Sequence, residues 1–157
     1  MKQLCLYIIL FISFSSFAKT PSLTQVRSLY EQAANDEKAC RELLEWLKPY
    51  NESNNPLLYG YRAAGTMMMA NYVFNPFSKL SYFNKGKKML GTAINADGKN
   101  VELRFIRFGV QTNVPSFLGY NNYVERDKIF LKQSIPGIED QNLKNMIVSY
   151  FKKRGYL

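Results

Sequence analysis

The sequence predicts an all-α protein of about seven helices arranged as antiparallel hairpins. Three observations lead there. Apolar residues recur at intervals of three, four and seven along most of the chain. The pairs Asn55-Pro56 and Asn75-Pro76 each supply an N-cap followed by the residue best suited to the first helical position. No stretch shows the polar-apolar alternation of a half-buried strand. A hairpin of helices cannot bury its own apolar surface, so each unit expects neighbours stacked against it.

The chain begins with the pattern of a secretory leader. Lys2 is the basic n-region, Leu6 to Phe14 the short apolar run, and Ser16-Phe17-Ala18 the small-x-small cleavage site. The run is too short to span a bilayer. Cleavage after Ala18 makes residues 1–18 a signal peptide and residues 19–157 one helical domain of about 140 residues, enough for a core without covalent staples. The expected location is the periplasm or the exterior of the cell. The leader carries Cys5 away, which leaves Cys40 without an intramolecular partner, and no cysteine follows the apolar run to accept a lipid. Cys40 shares a stripe with Leu43, Leu44 and Leu47, the place of a small buried apolar residue, ahead of the alternatives of a nucleophile or an intermolecular bridge.

The chain has no histidine, which excludes Cys-His and Ser-His catalysis and histidine metal sites. Its formal net charge is +9, reduced by one when Lys2 leaves with the leader. Inside a cell such a charge would suggest nucleic acid. Export redirects it towards anionic lipid, acidic polysaccharide or acidic protein faces, or simply towards solubility.

The elements follow in order. Ser22-Leu23-Thr24-Gln25 is a capping box, and Leu23, Val26, Tyr30 and Ala33 carry a first helix to about Ala34. Asn35-Asp36 caps a second, which ends at Lys48-Pro49. Trp46 lies off its stripe and is expected to touch another element. Residues 50–55 form a polar loop. The third helix starts at Pro56 and runs through Leu58, Tyr61, Gly65, Met68 and Tyr72, with Gly60, Ala63, Ala64 and Gly65 small enough to admit a neighbouring backbone. Met67, Met68 and Met69 point in different directions around a helix and so fill core space rather than ligate a metal.

The fourth helix, from Pro76, places Leu80, Phe83, Gly86, Leu90, Ala93 and Ile94 on or beside one face, with Lys79, Lys85, Lys87 and Lys88 solvated. Asp97 to Asn100 turns the chain. The fifth helix, from Val101, has two apolar sides: Leu103, Ile106 and Val110 on one, Phe105 and Phe108 on the other. Such a helix is buried on two sides. Arg104, Arg107 and Gln111 form a polar strip between them. Val114-Pro115 ends the helix, and an aromatic loop, Ser116 to Asn122, leads to a sixth helix with Val124, Leu131 and Ile135 inward. Pro136-Gly137 closes it. The seventh, from Ile138, carries Leu143, Met146, Ile147, Tyr150 and Phe151 inward and ends at Lys152-Lys153-Arg154 before Gly155.

The fourth helix and its turn resemble the second helix of a tetratricopeptide repeat, through Phe83, Gly86, Leu90 and Ala93, with Gly98 where that family usually has proline. The likeness spans Leu58 to Gln111, and the Trp-Leu-Gly-Tyr half of the motif is not in register. The chain as a whole resembles short exported bacterial helical proteins of unassigned function. The resemblance implies a degenerate tetratricopeptide-like α-solenoid fragment that binds a peptide or protein on a concave face.

A non-catalytic binding or scaffold module of the cell envelope is therefore the expected function, with a protein or peptide as partner. The candidate surface is Arg104, Arg107 and Gln111 with Asn113, Phe117 and Tyr120 of the segment that follows. Two readings compete on it. Arg104 and Arg107 either pair with Glu102, Glu125 or Asp127, or wait for a partner's carboxylates, and Phe117 and Tyr120 either plug the core or face a ligand. The alternative function is peripheral attachment to an anionic membrane surface through the basic charge. An enzyme ranks third, because Glu42 with Glu45 and Glu139 with Asp140 sit where acids serve helix stability. No catalytic residue, metal, nucleic acid or small-molecule cofactor is expected.

Overall fold

The computed structural model describes residues 20–157; the expected leader, residues 1–18, lies outside them. The described residues form seven α-helices and no strand: α1 (Leu23–Ala33), α2 (Glu37–Leu47), α3 (Pro56–Met68), α4 (Pro76–Ala96), α5 (Val101–Asn113), α6 (Val124–Ser134) and α7 (Gln141–Lys153). Six of the seven starts carry a side-chain cap, and α6 begins after Tyr123 without one. Ser22 and Gln25 close a reciprocal capping box on α1. Asp36, Asn55, Asn75, Asn100 and Asp140 each accept one or two of the first free backbone N–H groups of their helices.

Two boundaries differ from the sequence reading. The seventh helix starts at Gln141, not Ile138, because Ile135–Gly137 makes a 3-10 turn and Asp140 then caps Leu143 N–H at 3.1 Å. The third helix leaves α geometry at Met68 and tightens into a 3-10 turn, Met69–Asn71, before Tyr72. Its hydroxyl donates to the Ala33 carbonyl oxygen at 2.8 Å and pins that turn to the end of α1.

The apolar residues gather into two cores. The larger holds α1 to α4 together with Leu103 and Ile106 of α5 and Tyr120. The smaller holds Phe105 and Phe108 of α5 with Leu131, Leu143, Ile147 and Phe151 of α6 and α7. Helix α5 is the wall between them, as its two apolar sides require. Inside the larger core, α3 and α4 approach at backbone distance: a Cβ on Gly86 would lie 2.5 Å from both the Ala63 carbonyl oxygen and Met67 Cγ. Met67 and Met69 fill the same core. Cys40 is fully buried, its Sγ 3.4 Å from the Gly65 carbonyl oxygen, and burial pushes its thiol up to about 11. It is a packing residue in this setting.

Leu80, expected on the inward face of α4, is 49 % exposed, and Leu23 of α1 and Trp46 of α2 are each 37 % exposed. Single apolar residues on a protein surface are common. Leu80 lies instead on the edge of a groove.

Two glycines of α4 separate close packing from helix propensity. Gly86→Ala should lower unfolding stability by about 1 to 3 kcal/mol, since backbone atoms of α3 must move. A Cβ on Gly91 meets nothing within 4 Å, so Gly91→Ala should raise stability by about 0.5 to 1 kcal/mol. Denaturant titration of both variants checks the contrast; equal effects would mean that α3 and α4 do not touch at Gly86.

Candidate binding site

The polar side chains of α5 have three different fates. Glu102 faces α1, where Arg27 donates from Nε to Oε1 and from Nη2 to Oε2, both at 2.7 Å, and each residue is only 4 % exposed. The Tyr61 hydroxyl of α3 also donates to Glu102 Oε1. Arg27 reaches further, to Asp140 Oδ2 at 2.8 Å and Asn142 Oδ1 at 2.9 Å at the start of α7. The Glu102 hydrogen bonds hold the guanidinium in its charged form, burial and the carboxylate push the Tyr61 hydroxyl well above its usual range, and the Arg27 bond keeps the Asp140 carboxyl below its own. Arg27 adjoins the apolar stripe of the first helix, between Leu23 and Tyr30. A charge in that position was the sequence signal for a buried partner, and the sequence reading passed it over.

Arg104 and Arg107 converge on Asp127 of α6. Arg107 donates from Nε to Oδ2 at 2.7 Å and from Nη2 to Oδ1 at 2.8 Å, while Arg104 Nε donates to Oδ1. Asp127 is fully buried. The guanidinium groups also lie over aromatic rings, Arg104 at 4.6 Å from the centre of Phe130 and Arg107 at 4.1 Å from that of Tyr123. Of the three acids expected as partners, Asp127 takes both arginines, Glu102 takes Arg27, and Glu125 pairs with Lys128 at 2.8 Å.

The six candidate residues therefore do not make one surface. Arg104 and Arg107 are tied into the fold. Gln111 and Tyr120 are buried and line a small pocket with Asn121. Asn113 and Phe117 line a much larger groove. Tyr120 meets Phe83 edge to face at 5.9 Å, and Lys87 lies over its ring at 5.1 Å, so that lysine is engaged rather than freely solvated. Phe117 is 84 % exposed.

The groove has a volume of about 1350 Å³. One wall is the end of α1 with α3 and the first turns of α4; the opposite wall is α7; α5 and the segment 114–118 complete it. Its apolar lining includes Met67, Met68, Phe83, Ile106 and Met146, and the carboxamides of Asn35, Asn71, Asn113, Asn142 and Asn145 interrupt that lining. Asn113 Nδ2 donates to the Gly109 carbonyl oxygen at 2.7 Å and to the Tyr150 hydroxyl at 2.8 Å, which fixes the α5 edge to α7. The α7 contribution, Asn142, Asn145 and Ser149 at intervals of three and four, was visible as a polar helix face but gave no sign of facing a cavity. Among the described residues no group of three acids or cysteines comes together as a metal site, and no helix is long and apolar enough to cross a membrane.

Breaking the Asp127 network reports whether the arginines serve the fold. Arg107→Ala should cost about 3 kcal/mol in unfolding free energy, because a buried carboxylate loses its bidentate partner. A loss within about 0.5 kcal/mol would leave the guanidinium free for a ligand. Comparison of the chain with protein-family models, curated proteins and solved structures finds no match.

Proposed function

We propose that this protein is a non-catalytic binding module of the cell envelope that takes an extended segment of another protein into the groove between α3, α5 and α7. The mixed lining of the groove carries this reading. Methionine and aromatic side chains offer an adaptable apolar floor. Asn113 spends both of its N–H groups within the fold, and Asn142 and Asn145 each accept one bond there through Oδ1, which leaves the Asn142 and Asn145 Nδ2 groups and the whole Asn35 and Asn71 carboxamides to offer donors and acceptors to an extended backbone. An acyl chain would cover the same floor but would give those groups no partner. The tetratricopeptide-like resemblance, with its concave binding face, agrees with this use of stacked helices. The basic net charge favours a partner whose flanking residues are acidic.

A second reading rests on Phe74 and Phe77, which are 100 % and 85 % exposed beside Lys79. Apolar side chains next to lysines suit the headgroup region of an anionic membrane.

Gly109 separates the two. It lines the groove, and a Cβ there meets nothing within 4 Å, so Gly109→Trp should fill the cavity while leaving the helix in place. Peptides selected from a random display library on the wild-type protein should carry apolar residues at alternate positions and lose affinity by about tenfold or more on Gly109→Trp. Unaltered peptide binding by that variant would overturn the groove reading. Salt-sensitive flotation with anionic vesicles that disappears in the Phe74→Ser, Phe77→Ser double variant would favour the membrane reading instead.

A further inference from the structure

The wall of the groove formed by α7 presents hydrogen-bond donors in excess. Asn142 and Asn145 line the groove and are solvent-exposed, so a bound segment can reach both. Asn142 Oδ1 already accepts from Arg27 Nη1 at 2.9 Å, and Asn145 Oδ1 accepts from Gln141 Nε2 at 2.7 Å. A guanidinium only donates, so the first contact fixes which end of the Asn142 carboxamide is the oxygen. Each of the two carboxamides therefore keeps its Nδ2 group for a ligand. Lys153, further along the same helix, lines the groove with an ammonium that can only donate. The Tyr150 hydroxyl is engaged by Thr112 at 2.6 Å and by Asn113 at 2.8 Å, which leaves the Ser149 hydroxyl as the uncommitted acceptor of this wall. The opposite wall differs, because Asn35 and Asn71 present whole carboxamides, donor and acceptor together.

An extended backbone turns the N–H and C=O of alternate residues towards the same edge. Residues whose backbone faces α7 thus find partners for their carbonyl oxygens and almost none for their N–H groups, and an N–H stripped of water without an acceptor costs free energy. Proline has the carbonyl oxygen and no N–H, so it loses nothing at those positions. It also holds the residue before it in the extended region, which lowers the ordering cost of binding. The spacing agrees. Residues 145, 149 and 153 recur about every 6 Å along the axis of α7, and alternate residues of an extended chain recur about every 6.7 Å.

We propose that the segment held in the groove carries proline at alternate positions, with the proline carbonyl oxygens facing the donors of Asn142, Asn145 and Lys153. This partner class rests on the groove reading of the function and narrows it from any extended segment to one kind of sequence. The match is one of charge sign, N–H groups and an ammonium on the protein against carbonyl oxygens on the ligand.

Two fluorescein-labelled hexapeptides, one of three Ser-Pro repeats and one of three Ser-Val repeats, give the test by fluorescence anisotropy with the mature protein. The Ser-Pro peptide should bind about tenfold more tightly than the Ser-Val peptide, and Gly109→Trp should abolish binding of both. Asn145→Asp keeps the size of the side chain and an acceptor for Gln141 but puts a second acceptor where Nδ2 stood. That variant should therefore cut the preference for Ser-Pro to about threefold or less, with an unchanged melting temperature. Equal or tighter binding of the Ser-Val peptide, lost on Gly109→Trp, would overturn the proline assignment and leave the groove reading standing. Ser-Pro binding that Gly109→Trp does not alter would overturn both. A preference unchanged by Asn145→Asp, or no binding of the Ser-Pro peptide at all, would also reject the assignment, and the display-library peptides then judge the groove separately.

Discussion

The buried pair Arg27–Glu102 is the interaction on which the rest of the arrangement depends. Withdrawing both charges from water costs several kcal/mol each, and a bidentate contact repays this only when the remaining donors and acceptors are also met. They are met here by Tyr61, Asn142 and Asp140. The consequence is mechanical. One guanidinium and one carboxylate join α1, α3, α5 and the start of α7, four elements that line the groove on both sides. The spacing of the walls is set by polar contacts with fixed geometry, and the apolar floor stays open between them. Such pairs trade stability for a defined arrangement, because an apolar replacement could pack as well without fixing direction.

Helix α5 extends the same logic. Its two apolar sides belong to different cores, and the polar positions between them are used one after another along its length: Glu102 towards α1 and α3, Arg104 and Arg107 towards α6. Gln111, one turn beyond Arg107, is where that series stops being satisfied from within the chain. Gly109 keeps the neighbouring face thin. The lower part of the helix is thus fully engaged by the fold, whereas its last turns border both cavities.

What the sequence revealed and what it hid follow a physical division. Caps, Asn-Pro starts and the double stripe of α5 depend on residues within one or two turns of each other, and these were legible. Asp127 was legible as one of three acids able to meet Arg104 and Arg107, but local spacing could not choose among them. The Arg27–Glu102 pair spans 75 residues, and only the odd placement of Arg27 beside an apolar stripe hinted at it. The groove was illegible because it is the space left between elements whose mutual distances no periodicity encodes. Of the six residues proposed for a binding surface, only Asn113 and Phe117 reach that groove. Spacing on a helix gives a direction, and it does not say whether protein or solvent lies there.

The most direct measurement is a double-mutant cycle on Arg27→Met and Glu102→Met, followed by denaturant unfolding. Each single change strands a buried charge and should cost about 3 to 5 kcal/mol, while the double variant, with neither charge left, should cost much less than their sum. A coupling energy of about 2 kcal/mol or more supports the pair as the clamp that holds the groove walls. Effects that add to within about 0.5 kcal/mol would contradict it.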